Sequence, residues 1–178
     1  QWFDSDGDGY GDNPTGTNGD AFPNDGTQWS DQDGDGFGDN PNGTNPDAFP
    51  NDATQWSDSD GDGYGDNADG VTPDACPTFA GISNVDRYGC NDPDADGRSS
   101  PDADWTLEDG ADAFPTDPAQ WSDLDGDGLG DNYDDPDWDD RSPFWPGEYL
   151  QIVGDYDRCP AVAGNSTKLG VLGCLDND

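Results

Sequence analysis

Aspartates spaced two apart, with glycine between and after them, carry most of the chemistry this sequence has to offer. The text D-x-D-G-D-G-x-G-D occurs from Asp4 to Asp12, Asp31 to Asp39, Asp58 to Asp66 and Asp123 to Asp131. A variant, Asp92-Pro93-Asp94-Ala95-Asp96-Gly97 with Asp102 beyond it, makes a fifth site. Acids at positions 1, 3 and 5 of a tight loop converge on one point, and glycine at position 6 allows a turn that other residues resist. A point ringed by carboxylates suits a hard cation. Ca²⁺ takes about 6–8 oxygens at about 2.3–2.6 Å, whereas Mg²⁺ keeps its waters and a transition metal seeks imidazole or thiolate. The expected carboxylate ligands are Asp4, Asp6, Asp8 and Asp12; Asp31, Asp33, Asp35 and Asp39; Asp58, Asp60, Asp62 and Asp66; Asp92, Asp94, Asp96 and Asp102; and Asp123, Asp125, Asp127 and Asp131. Position 7 adds a backbone carbonyl, from Tyr10, Phe37, Tyr64, Arg98 or Leu129.

These loops follow the EF-hand pattern for nine positions and then leave it. The bidentate Glu required at position 12 is absent, that place holding Thr15, Asn42, Asp69 or Asp134, and no helical pattern flanks the loops. The missing ligands must come from the text that follows, Asp-Ala-Phe-Pro-x-Asp, which offers Asp20 with Asp25, Asp47 with Asp52, and Asp112 with Asp117. Asp74 holds the equivalent place in the third copy. Asp176 and Asp178 read as the first half of another loop, and the chain opens inside a motif. Both ends predict a segment of a longer polypeptide, with the line of metal sites continuing beyond it.

Composition says why such sites matter. The 178 residues include 42 acidic and 5 basic side chains, a formal charge of -37, and only 29% hydrophobic residues. Ordering a backbone costs roughly 1–2 kcal/mol per residue, and so little apolar surface cannot offset that. Either the chain is disordered, or something outside the sequence neutralises and cross-links it. Two carboxylates about 4 Å apart repel by roughly 4 kcal/mol at an effective dielectric of 20. A divalent ion reverses the sign of that interaction, so metal binding and folding are expected to be one process. The charge excludes nucleic acid and anionic membranes as partners, and no apolar run is long enough to span a bilayer. Catalysis finds no support: there is no His, no nucleophile has a base beside it, and the acids are accounted for as ligands.

The elements that position these loops are repeats and turns. Trp2, Trp29 and Trp56 recur every 27 residues and Trp121 opens a fourth copy. The expected organisation is calcium repeats at 1–28, 29–55 and 56–75, a cysteine cassette at 76–91, the variant loop with its Asp-Ala-Phe-Pro segment at 92–120, a fourth repeat at 121–140, an apolar linker at 141–158, and a second cassette with a truncated loop at 159–178. With Gly 26 and Pro 15, no window supports a helix, and Asp and Gly disfavour strands. The fold class is therefore irregular, mostly coil and turn: an elongated tandem repeat stapled by calcium. Phe144 to Val153 is the one locally apolar stretch, suited to a short strand or a small satellite cluster. Each periodic tryptophan is expected to pair with the phenylalanine before a proline as a miniature core.

Cys76 with Cys90 and Cys159 with Cys174 fall in two similar cassettes. Four cysteines allow three pairings, and the cassettes favour the local one. Each disulfide would close a loop of about 15 residues, worth roughly 3 kcal/mol in the chain-entropy model, and would imply an oxidising compartment. Zinc is disfavoured by the absence of close cysteine pairs and of histidine. Asn42-Gly43-Thr44 and Asn165-Ser166-Thr167 are glycosylation acceptor patterns.

The sequence resembles the thrombospondin type 3 repeat. That family's D-x-D-G-D-G-x-x-D followed by D-N-C-P is similar to Asp58 to Asp66 leading into Asp74-Ala75-Cys76-Pro77, and the likeness runs over nearly the whole chain. The resemblance implies chain wound around a line of Ca²⁺ ions, often two per repeat, in extracellular matrix or microbial surface proteins. It carries Asp4, Asp6, Asp8 and Asp12, and their equivalents, over as ligands, for about five to ten ions in all. The chain departs from the family where Phe22, Phe49 and Phe114 replace a cysteine. The function expected is structural, a stalk or filament segment joined end to end to copies of itself or to the rest of a longer chain. The rival readings are a calcium-dependent adhesin that contacts surface glycans or proteins through exposed aromatics, and a calcium buffer or mineral-nucleating protein.

Overall fold

The computed structural model describes residues 3–137, 144–167 and 172–175. The expectations placed on Trp2, Asp176 and Asp178 lie outside these residues. The chain forms two compact units, Gln1–Ala80 and Gly81–Asp178, so the boundary falls inside the first cassette.

Regular structure is almost absent among the described residues. A three-residue 3₁₀ turn, Leu107–Asp109, is closed by the Thr106 cap and a left-handed Gly110. Isolated parallel bridges join Gly11 to Gly19, Gly38 to Pro46, Gly65 to Pro73 and Tyr133 to Tyr149. No helix among these residues is long and apolar enough to cross a membrane. The apolar stretch supplies only the Tyr149 bridge. Val153 is buried, while Phe144 and Ile152 are exposed.

The first unit repeats one plan, seen in full between Gln28 and Trp56. The acidic loop closes when the Asp39 amide donates to the Ser30 carbonyl. The chain then turns back, the Asp47 amide donates to Gly38, and the Ala48 amide donates to the Trp56 carbonyl. What lies inside this unit is not apolar. Every buried residue described in 3–80 is Gly, Asp or Gln. Gln28 and Gln55 are 1% and 2% exposed. Gln28 Oε1 accepts the Asn40 amide at 2.9 Å, and its Nε2 donates to the carbonyls of Asn40 and Thr44 at 3.1 and 3.2 Å. Gln55 binds Asn67 and Val71 in the same way. Buried polar groups hold only when paired, and here one amide side chain satisfies three backbone groups of a turn at once. Gly38 and Gly43 are glycine for that reason, since a Cβ at either would overlap the Gln28 side chain.

The tryptophans add a second, apolar contact. Trp29 stacks on Tyr10 with ring centroids 5.3 Å apart, and Trp56 on Phe37 at 5.2 Å, the ring planes of both pairs nearly parallel. Each stack joins position 7 of one loop to the tryptophan that opens the next copy. The pairing expected with Phe22 and Phe49 is replaced by this one, because the turn at Ala21 or Ala48 brings the next tryptophan back over the preceding loop.

The second unit uses the same devices with longer insertions. Gln120 is buried and exchanges hydrogen bonds with the Asn132 backbone. The Asn132 side chain accepts from the Glu148 amide, and Trp145 Nε1 donates to the Asp131 carbonyl at 2.8 Å. Arg87 is held by Ser99, by the carboxylate of Asp102 at 2.8 Å and by the face of Trp105. All four cysteines are disulfide-bonded, and Cys159 pairs with Cys174. Two disulfides in so small a core fit an oxidising environment.

Candidate metal centre

Five groups of three aspartates bring a carboxylate oxygen of each member within 4.8 Å of the others: Asp4, Asp6 and Asp8; Asp31, Asp33 and Asp35; Asp58, Asp60 and Asp62; Asp92, Asp94 and Asp96; and Asp123, Asp125 and Asp127. The local sequence dictates this convergence. In the second loop Asp31 accepts the amides of Gly34 at 2.7 Å and Gly36 at 3.1 Å, one on each oxygen. Those bonds require the chain to double back, and Gly34 and Gly36 do so at φ +85° and +95°, where side-chain-bearing residues are strained. Asp33 and Asp35 each bond the amide two residues on through Oδ1, which leaves Oδ2 free to point inward. The position-7 residues Tyr10, Phe37, Tyr64, Arg98 and Leu129 donate their amides to the position-5 acid. The Arg98 side chain lies over Trp121.

A fourth acid lies near each group. Asp20, Asp47, Asp74, Asp112 and Asp157 are 0–6% exposed. Each bonds the amide two residues on through Oδ1: Phe22, Phe49, Cys76, Phe114 or Cys159. Each holds Oδ2 buried with no hydrogen-bond partner. The same holds for Oδ2 of Asp6, Asp8, Asp33, Asp35, Asp60, Asp94, Asp96 and Asp125. An orphaned buried carboxylate oxygen costs free energy unless something satisfies it. Here the orphans cluster, two or more to a loop.

The electrostatics point the same way. Burial raises the pKa of Asp20, Asp47, Asp74, Asp112 and Asp157, and the aspartates of the facing loop raise each further. Asp74 and Asp157 are pushed to about 6 and Asp112 to about 7. Those neighbours assign each acid to a loop. Asp20 feels Asp8 and Asp6, Asp47 feels Asp35 and Asp33, and Asp74 feels Asp62 and Asp60. Asp112 feels Asp96 and Asp94, and Asp157 feels Asp127 and Asp125. Such an all-carboxylate cluster can hold a metal ion, and nothing in it is a soft ligand.

The sign of the pH dependence follows. Asp74, Asp112 and Asp157 bind protons in the metal-free folded state between about pH 4 and 7, where the unfolded chain has released them. The stability of the metal-free fold therefore falls as pH rises through that window. A bound cation competes with the same protons. Its apparent affinity is expected to rise from pH 5 to pH 7.5, with protons released on binding. Calorimetry in two buffers of different ionisation enthalpy measures both, and an affinity flat across that range would contradict the placement of these acids.

Through Oδ1, Asp25 and Asp52 accept the backbone amide and hydroxyl of Thr27 and Thr54, and Asp117 accepts the Ala119 amide. The Thr27 hydroxyl and amide hold the pKa of Asp25 below the usual carboxylate range. The Asp117 N–H donates to the Phe114 carbonyl at 2.8 Å, and in the second cassette the Val162 N–H donates to the Cys159 carbonyl at 2.9 Å. Asp102 is taken by Arg87 and by the amides of Asp104 and Trp105.

The position-9 acids close the loops. Asp12 and Asp66 accept both the amide and the hydroxyl of Ser5 and Ser59. Asp39 bonds the Ser30 hydroxyl and the Gln32 amide. Asp131 accepts the Leu124 amide and keeps Oδ1 buried without a partner. Asn42 and Asn165 are exposed.

Sequence reasoning missed Asp157, although Asp157-Arg158-Cys159-Pro160 repeats the Asp74-Ala75-Cys76-Pro77 text. It also missed the buried glutamines, whose signal is a Gln before every periodic Trp. Compared with known proteins, the chain matches no protein-family model and no curated protein.

Proposed function

We propose that this chain is an extracellular calcium-binding structural repeat, a segment of a stalk or filament whose turns are created by Ca²⁺ held in the aspartate loops. One observation carries the reading: each of five converging triplets has near it a buried fourth aspartate whose Oδ2 has no hydrogen-bond partner. The oxygen-only donor set favours Ca²⁺ over transition metals. The number of carboxylates favours it over Mg²⁺, which seldom sheds its waters for an all-protein cage. The resemblance to thrombospondin type 3 repeats supports the same ion. A structural role follows from where the free energy lies. The first unit has no buried apolar residue among those described, so ions stand in for a core, and each copy contacts its neighbours as in other repeat proteins.

The test is a count. Equilibrium dialysis at about 1 mM free Ca²⁺, the range in which extracellular modules bind, should load at least five ions per chain, one for each aspartate group. An equal concentration of Mg²⁺ should displace few of them. A chain that loads none, or that prefers Mg²⁺, ends the proposal.

A further inference from the structure

The fourth loop poses a problem that the others do not. Asp20, Asp47 and Asp74 follow position 5 of their loops (Asp8, Asp35 and Asp62) by 12 residues, and Asp112 follows Asp96 by 16. After Asp127 no Asp-Ala-Phe-Pro text comes, and the buried acid facing the loop is Asp157, 30 residues on.

The second cassette holds it there. The Cys159 amide binds Asp157 Oδ1 at 2.8 Å, and the Asp157 amide donates to the Gly130 carbonyl at 2.8 Å. From the other side of the disulfide, Gly164 donates its amide to Asp127 Oδ2 at 3.1 Å. Gly173, at φ +74°, lies so close that a Cβ there would overlap Asp157 Oδ1 and come within 3.2 Å of Asp127 Oδ2. Gly164 is pressed in turn against the backbone of Gly173 and Cys174. Thus both arms of the loop that Cys159–Cys174 closes reach the acids of the distant loop. Asp157 itself is 1% exposed, with Oδ2 unpartnered.

We infer that Asp157 is a ligand of a divalent-cation site with Asp123, Asp125 and Asp127, and that the Cys159–Cys174 cassette is the positioning element of that site. The inference rests on the calcium reading above and adds to it a residue and a covalent requirement that the loops at Asp4 and Asp31 lack. Those loops draw their fourth acid from the adjoining turn, whereas this one depends on a disulfide-closed lid.

The experiment uses the full chain and Ca²⁺ alone, reading deuterium uptake of the peptide covering Asp123 to Asp131 against those covering Asp31 to Asp39 and Asp58 to Asp66. The variants are Asp157→Asn, the double variant C159S/C174S, and Asp155→Asn as an exposed control. In the first two, the Ca²⁺ concentration giving half-protection of 123–131 is expected to rise about tenfold or more, as loss of support around a metal costs roughly 10–100-fold. The other two loops and the control should keep the wild-type midpoint. An unshifted midpoint in Asp157→Asn, or an equal shift in every loop, overturns the ligand assignment. An unshifted midpoint in C159S/C174S overturns the role of the cassette. Absence of Ca²⁺-dependent protection in every loop of the wild-type chain is a different result, which removes the calcium reading itself.

Discussion

Excess EDTA will expand the calcium-loaded chain, its radius of gyration rising toward the roughly 45 Å of an unfolded chain of this length. The near-ultraviolet dichroism of the Tyr10–Trp29 and Phe37–Trp56 stacks will be lost with it. The reason is the balance of forces inside each repeat. Three carboxylates with oxygens within 4.8 Å of one another, plus a fourth that is buried, repel strongly, and no apolar interior in the first unit opposes them. The buried glutamines hold turns together but contribute only about 1 kcal/mol net per hydrogen bond, too little against like charges at that distance. The two disulfides survive chelation, but they close local loops and leave residues 1–75 untethered. Ordinary salt should not substitute for Ca²⁺. The Debye length is about 10 Å at 0.1 M, longer than the spacing of the acids, so screening acts between loops more than within one. Small-angle scattering with and without chelator, repeated in 0.1 M NaCl, checks both statements. A chain that keeps its dimensions in EDTA has some other source of cohesion, and the structural role proposed for the ions falls with it.

How far the sequence reveals this arrangement depends on the range of the interaction. The loops are legible because their spacing encodes a local conformation. Asp31 can reach Gly34 and Gly36 only if both turn left-handed, and glycine is what permits that. The scarcity of helix and strand is legible for the same reason. The fourth acid is half legible. Asp20, Asp47 and Asp112 stand in a recurring text, but nothing local says that one oxygen of each stays buried without a hydrogen-bond partner. The tryptophan partners were misread because a 27-residue period says that copies touch without saying which faces meet. Asp157 is the least legible, since a separation of 30 residues is bridged only through the disulfide cassette. The glutamines escaped for a different reason. A search for a core looks for apolar residues, and the most buried side chains of the first unit are polar.

That polar interior leads to an expectation opposite to the one a conventional core would give. Gln55→Leu, nearly isosteric and more apolar, should destabilise the calcium-loaded chain by about 2 kcal/mol or more. Gln55 Oε1 accepts the Asn67 amide at 3.0 Å, while Nε2 donates to the carbonyls of Asn67 and Val71 at 3.1 and 3.3 Å. Leucine would leave all three backbone groups without a partner, at about 1–3 kcal/mol each when water is excluded. Burying its side chain returns only about 1.5–3 kcal/mol. Nor can the pocket relax to admit water cheaply, because Gly65 and Gly70 press so closely that a Cβ on either would overlap Gln55. Val71→Ala, at an exposed residue of the same turn, serves as control and should be nearly neutral. Urea unfolding in saturating Ca²⁺ measures both. The loss should be local, speeding deuterium uptake between Gln55 and Pro73 before it touches the loop at Asp4. A Gln55→Leu chain at least as stable as wild type would mean that the repeat tolerates an oily centre. The use of ions and amides in its place would then be a matter of composition and not of physical necessity.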